Sequence, residues 1–463
     1  MCHRSSTRRE FNVSLASLTA LGPFASYWLD GQPVVAEKFT AKNDRPLVAA
    51  IGLGGRGRSI AKQAAQFGDV VALCDVDLQQ VEKAQAALGV KTEVYQDYRR
   101  LLEREDIEII VNGTTDHWHT AVNVAACRAG KDVYTEKPLT LTIDEGKLLR
   151  RVVQETGRIV QVGAQQKSDE KFRLACRLVR NGRVGRLRQV IVTLPFWNTK
   201  GGPFVVQPVP PQLNWDLWQG QAPQRDFCPE RLHFNFRWWQ EYAGGIITDW
   251  GQHHVGIAQW GMDMERSGPL TVEGKAIFPN RNQPDCGGNC YNNPDRFLVH
   301  MTYAGGIEMW YFVVRDEKYW KFTTPEEDKL LFSGVPEEII AEKRNGIMFV
   351  GDAGRVFCNR GNVQGKPVED LRDNPLPASA NLLNESNDHM ENFFQCVKSR
   401  QQPVAPVEVE HRTITTCHLG NIALRLGRKI TWDPQQEAIV GDAEAARSIY
   451  VQREQRSSYR LPS

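Results

Sequence analysis

Past residue 46 the chain alternates short apolar runs with longer stretches in which apolar residues recur three and four apart. The runs 47–51, 70–74, 107–112, 132–136 and 159–162 are rich in Val and Ile, the pattern of strands buried on both faces. Helical spacing over 60–67, 79–88, 98–104, 119–129 and 143–156 fills the intervals between them. Strands that alternate with helices at this spacing predict an α/β domain over residues 37–165, a doubly wound parallel sheet of five strands. Ligands of such sheets bind outside the carboxyl ends of the strands.

From about residue 166 the pattern changes. A helix at 170–180 leads into strand candidates at 187–193, 270–278, 297–303, 306–314, 348–351 and 354–358, with helices at 387–400 and 408–426 closing the series. Strands in succession predict an α+β second domain over 166–433, with a large, mostly antiparallel open sheet, followed by a tail, 434–463. Helices on one face of that sheet leave the other for self-association, so a homo-oligomer, dimer or tetramer, is expected. Trp197, Trp215, Trp218, Trp238, Trp239, Trp250 and Trp260 all fall between residues 197 and 260. Most are expected in the core, with one or two lining a substrate cleft. Indole faces stack on the C–H faces of sugars, and Arg237, His233 and Tyr242 are placed to bond hydroxyls.

With 463 residues, 41% hydrophobic, 24% charged and a formal charge of +2, the composition is that of a soluble globular protein. The balanced charge argues against nucleic acid as a partner. Arg8 and Arg9 precede a mild Ser/Ala/Leu-rich stretch and then small residues at 34–36, so residues 1–36 resemble a twin-arginine export signal and imply a periplasmic location. Pro23 and the polarity of that stretch argue against a membrane anchor. Ten cysteines are scattered, except for Cys286 and Cys290 in a Gly/Asn-rich loop, where a disulfide is an open expectation and a metal site lacks a second pair of ligands.

The first apolar run opens into Gly52-Leu53-Gly54-Gly55-Arg56-Gly57, and the second ends in Asp75. The glycines suit a tight turn, close approach to a pyrophosphate and close helix packing, and the acid suits the adenine ribose hydroxyls. The cofactor expected is therefore NAD, and Arg56 with Arg58 keeps NADP open. Glu136-Lys137-Pro138 ends a later strand, where Lys137 would face the cleft and steady a developing oxyanion. Asp249 and His253 lie four apart, a spacing that lets a carboxylate orient a general-base imidazole. The same spacing also fits a capped helix N-terminus with a structural histidine.

The glycine loop with Asp75, the turn Thr115-Asp116-His117-Trp118-His119, Glu136-Lys137-Pro138 and the 249–253 segment closely resemble the glucose-fructose oxidoreductase / inositol dehydrogenase / MocA (Gfo/Idh/MocA) family from about residue 46 to about 433. The resemblance implies a Rossmann domain, nicotinamide-dependent hydride transfer on a sugar, polyol or derivative, and a catalytic set of Lys137, Asp249 and His253. It also implies that His119 or its neighbours border the nicotinamide. Thr114 and Glu136 are further candidates for cofactor contact, and Arg237, Trp218, Tyr242 and His254 are candidates for meeting a small-molecule carbohydrate. His254, adjacent to His253, leaves open which imidazole acts. Export without an exchangeable nicotinamide pool implies tightly held cofactor. The alternative within the same chemistry is redox-neutral cleavage of a glycoside.

Overall fold

In the computed structural model, residues 45–196, 201–279, 286, 288–314, 323–380 and 383–461 are described. The export segment and Trp197 lie outside them.

The first domain is a six-stranded sheet of β1 (Leu47–Ile51), β2 (Asp69–Cys74), β3 (Glu93–Tyr95), β4 (Ile109–Asn112), β5 (Asp132–Thr135) and β6 (Val160–Val162). Their order is β3-β2-β1-β4-β5-β6 and all pairs are parallel. Helices α1 (Gly55–Ala64), α2 (Leu78–Leu88), α3 (Tyr98–Leu102), α4 (Asp116–Arg128) and α5 (Ile143–Thr156) connect them. The order reverses direction beside β1, which places the crevice over the carboxyl ends of β1 and β4. The sixth strand, β3, escapes a pattern-based reading because it is three residues long with an exposed or half-exposed edge. Two helices start earlier than their apolar spacing suggests. The glycine turn itself forms the first turn of α1, and Asp116 opens α4 after the extended Thr115.

The second domain begins with α6 (Glu170–Arg180) and β7 (Leu187–Leu194) and continues through α7 (Ile246–Asp249), α8 (Gly251–Gly261), β8 (Thr271–Ile277), β9 (Arg296–Thr302) and β10 (Glu308–Val313). It then adds α9 (Pro325–Phe332), β11 (Gly346–Gly351), β12 (Arg355–Cys358), β13 (Val363–Gln364), α10 (His389–Ser399), α11 (Val407–Leu426), β14 (Ile430–Asp433) and β15 (Ala438–Val440). The nine strands run β13-β12-β11-β7-β10-β9-β8-β14-β15, antiparallel except where β7 meets β10. Strict alternation puts Val190, Val299, Met309, Tyr311 and Phe349 on the face covered by helices. Ile191, Leu298, Phe312 and Met348 lie on the other face, where α9 covers part of the sheet.

Two boundaries differ from the sequence reading. Residues 434–461 are not a tail. β15 pairs with β14 and protects that edge, Tyr450 is fully buried, and the Tyr459 hydroxyl donates to Asp216 at 2.6 Å. Nor is the first domain complete at residue 165, because Met390, Phe393 and Phe394 of α10 pack with Val48, Ala50 and Ile60 in one core. Cys286 and Cys290 are joined as a disulfide.

Among the described residues no helix is long and apolar enough to cross a membrane, and no group of three or more His, Cys, Asp or Glu could hold a metal ion.

Candidate active site

A cleft of about 950 Å³ runs from the glycine loop, past the ends of β2, β4 and β5, to a wall from the second domain that carries Arg237, Asp249, Trp250, His253 and Arg360. At its first-domain end Gly52 has φ of +78°, and a Cβ there would sit 2.4 Å from the Thr114 nitrogen. A Cβ on Gly57 would lie 1.8 Å from the Gly52 carbonyl oxygen, so α1 touches the strand turn directly. By contrast, nothing lies within 4 Å of a Cβ on Gly54 or Gly55. The loop is tight where the backbone crosses itself and open where the first N–H groups of α1 point outward, the shape a pyrophosphate needs.

Asp75 stands at the rim of this space and is held by two backbone donors, Leu53 N–H at 2.6 Å and Asp77 N–H at 2.9 Å. Burial raises its carboxyl to about 6 although both N–H bonds pull it down. Arg58 is tied to the Leu53 carbonyl and Gln80 at 2.9 and 2.8 Å, and Arg56 to Glu136 at 2.8 Å. The donor set and the open loop fit a dinucleotide.

At the other end Lys137 Nζ donates to the Asp249 carbonyl at 2.9 Å and to its Oδ1 at 2.8 Å, and Arg237 Nε reaches the same Oδ1 at 3.2 Å. Burial alone would raise the Asp249 carboxyl, but these two cations outweigh it and hold it well below the usual carboxylate range. The expected pairing of Asp249 with the His253 ring is therefore replaced. Full charges on Lys137 and Arg237 take the carboxylate, and His253 Nδ1 is buried without a hydrogen-bond partner. Burial, then Lys137 and Arg360, push the His253 pKa far down, leaving a neutral imidazole on the cleft wall.

Of the two adjacent histidines, only His253 lines the cleft. His254 is 1% exposed, and its Nδ1 faces the Thr193 carbonyl at 3.1 Å. Tyr242 likewise does not line the cleft; it is fully buried and its hydroxyl accepts from Arg231 at 3.4 Å. His119 does not line the cleft; its ring nitrogens face the carbonyls of Pro138 and Thr114 at 2.6 and 3.1 Å, and the neutral ring donates to one of them. Thr114, Glu136, Trp218 and His233 do line it, as do Gly52, Gly54, Gly55, Arg56, Gly57, Asp75 and Lys137. Trp218 stacks on Trp215 at 4.8 Å, and of the tryptophans in the dense segment only it and Trp250 reach the cleft among the described residues.

Asp116, Gln166 and Arg360 also line the cleft, and none of them was expected there from the sequence. Asp116 lay within a quoted turn, and burial, reinforced by the Asp249 charge, raises its carboxyl to about 7. Arg360 follows β12 in a hairpin with no motif of its own.

Residues 47–164 match the model of the "Oxidoreductase family, NAD-binding Rossmann fold", and residues 194–311 and 360–461 match that of the same family's "C-terminal alpha/beta domain". The chain belongs to the Gfo/Idh/MocA oxidoreductase family. Within that family it is 32% identical over 142 residues to inositol 2-dehydrogenase of Azotobacter vinelandii, 30% of this chain and 42% of that one. It is 33% identical over 145 residues to the enzyme of the same name from Pseudomonas fluorescens, with the same two shares. The match thus spans 42% of the length of these relatives. Among solved structures, the WlbA dehydrogenase from Bordetella pertussis, in complex with NADH and UDP-GlcNAcA, gives a TM-score of 0.59 at 16% identity over 84% of this chain and 99% of that one. Myo-inositol 2-dehydrogenase from Lactobacillus plantarum gives 0.55 at 18%, with shares of 84% and 99%. At these identities the likeness is one of fold. The family's NAD-binding domain is therefore the one whose glycine loop and Asp75 are described above.

Proposed function

We propose that the protein oxidises or reduces a carbohydrate, polyol or sugar derivative by hydride transfer, with NAD as the cofactor. The observation that carries this reading is the Lys137–Asp249 ion pair beside neutral His253, in the cleft that the glycine loop opens. Bound NAD supplies the hydride acceptor or donor. Lys137, anchored by two hydrogen bonds to Asp249, keeps a third N–H for the oxygen of the reacting carbon and stabilises charge as it develops there. His253 accepts the hydroxyl proton as a neutral base. Asp249 positions Lys137 and not the imidazole. Trp218 and Trp250 give the apolar walls.

The test is incubation of the purified protein with NAD and a panel of sugars, polyols and aryl glycosides, following 340 nm absorbance and products together. Formation of NADH that is lost in Lys137→Met supports the reading. Aglycone release without net NADH would move the activity to redox-neutral glycoside cleavage.

We further propose that the cofactor is tightly held and that Arg8 and Arg9 address the folded, loaded protein for export. Two domains enclosing one cleft support retention, and the arginine pair supports the route. Denaturing the purified protein should release nucleotide. Replacing both arginines with lysine should leave the protein in the cytoplasm; fractionation showing unchanged location would sink the export reading.

A further inference from the structure

Among the cations that line the cleft, Arg360 stands apart from those near it by its lack of a direct carboxylate partner. Lys137 and Arg237 share Asp249, Arg56 holds Glu136, and Asp169 at the cleft edge is paired with Lys171 at 3.0 Å. Arg360 has no carboxylate within ion-pair distance among the described residues, although it lines the same cleft. It is nevertheless held in place. Its guanidinium lies 4.5 Å over the Trp250 ring, and its Nε donates to the Gln166 amide oxygen at 3.2 Å. The other end of the same amide donates to the His253 carbonyl at 3.1 Å. Gln166 therefore ties the Arg360 guanidinium to the backbone of His253. With Nε taken and one face covered by indole, the two terminal nitrogens of this cleft-lining residue have no hydrogen-bond partner among the described residues, and such a fork is the donor pair that grips a carboxylate end-on.

Resting on the oxidoreductase reading above, we propose that the substrate is an acidic sugar, and that Arg360 binds its carboxylate while Trp250 packs against the ring. One guanidinium without a direct carboxylate partner offers a place for one carboxylate. Its arrival also changes the chemistry at His253. Burial and the charges of Lys137 and Arg360 hold that imidazole's pKa down, and an anion on Arg360 relieves part of this opposition as the ring takes up a proton. Neutral sugars lack that effect, so the arrangement selects for charge in turnover as well as in binding.

The test is calorimetric titration of the NAD-saturated protein with glucose, glucuronate and glucose 6-phosphate, repeated for Arg360→Gln. Glucuronate is expected to bind about ten-fold or more tightly than glucose. Arg360→Gln should erase the preference for glucuronate over glucose while NAD affinity is retained, and loss of NAD binding together with the preference would mark a merely structural role. Equal binding of glucose and glucuronate, absence of glucuronate binding, preference for the phosphate, or a preference that survives in Arg360→Gln would each overturn the proposal. The 340 nm assay reports on the hydride-transfer reading separately, so binding preference without turnover, or turnover without preference, shows which of the two has failed.

Discussion

Two neighbouring histidines show how much of the site is decided residue by residue. His253 and His254 share one turn of α8 and the same local composition, yet one faces the cleft and the other is locked onto the Thr193 carbonyl. His253→Asn is expected to lower kcat by about 10²–10⁴ while folding normally. His254→Gln should instead cost roughly 1–3 kcal/mol of stability, because a buried carbonyl is left poorly paired, and leave the kcat of the remaining folded protein near wild type. Steady-state kinetics beside urea unfolding separates the two, and equal kinetic losses would refute the assignment. Local sequence cannot supply this distinction. Asp249 and His253 have the spacing of a hydrogen-bonded pair, but the partners Asp249 takes, Lys137 and Arg237, come from another strand end and from the segment before α7. Arg360 is less legible still, since its neighbours Trp250 and Gln166 lie far away along the chain.

At the scale of elements, most of the first domain was legible because its strands are buried on both faces and its turn carries glycines with definite tasks. What escaped, β3, β13, β14 and β15, are strands of two to four residues at or near sheet edges, where half-exposed side chains blur the alternation. The glycine loop yields a paired test. Gly57→Ala forces a Cβ into the Gly52 carbonyl and should cost about 1–3 kcal/mol, with the cofactor site deformed. Gly54→Ala meets open space and should leave Tm within a few degrees of wild type, yet weaken NAD because the methyl intrudes where a phosphate must come close. Thermal melts with and without NAD read both effects; a Gly54→Ala protein with full NAD stabilisation would argue against the phosphate position.

For the whole molecule, pH acts through buried rings. His117, His254 and His418 are held neutral by burial with pKa values near 3, and His389 near 4. Each folded value lies below the unfolded one, so the unfolded chain binds more protons below pH 6.5. The stability these rings contribute is present above that pH and is lost as pH falls toward 3–4. Between pH 7.5 and 5.5 each loses about 1 kcal/mol. Asp116, raised by burial to about 7, and Asp75 and Asp295, raised to about 6, work in the opposite sense and gain stability over the same interval. The four rings outweigh the three carboxyls, and the urea midpoint should fall on acidification. His418→Gln should remove about 1 kcal/mol of that fall, and an unchanged pH slope would refute the neutral assignment. The closing residues matter at this scale too. A chain ended at Asp433 loses β15, the buried Tyr450 and the Tyr459–Asp216 bond, and should melt well below the full chain; equal melting temperatures would show the segment to be dispensable.

The packing of α10 against β1 and α1 also sets an order of events in the cell. A ribosome releases the glycine loop and its strands long before it makes Phe393 and Phe394, so the nucleotide-binding half waits, with one flank of its sheet bare, until some nine-tenths of the polypeptide exists. Such a nascent chain is poorly suited to acquire NAD early, and it stays open to chaperones for most of its synthesis. Cofactor loading then becomes one of the last steps of maturation, taken when the helix from the far end of the message docks and makes the first domain whole.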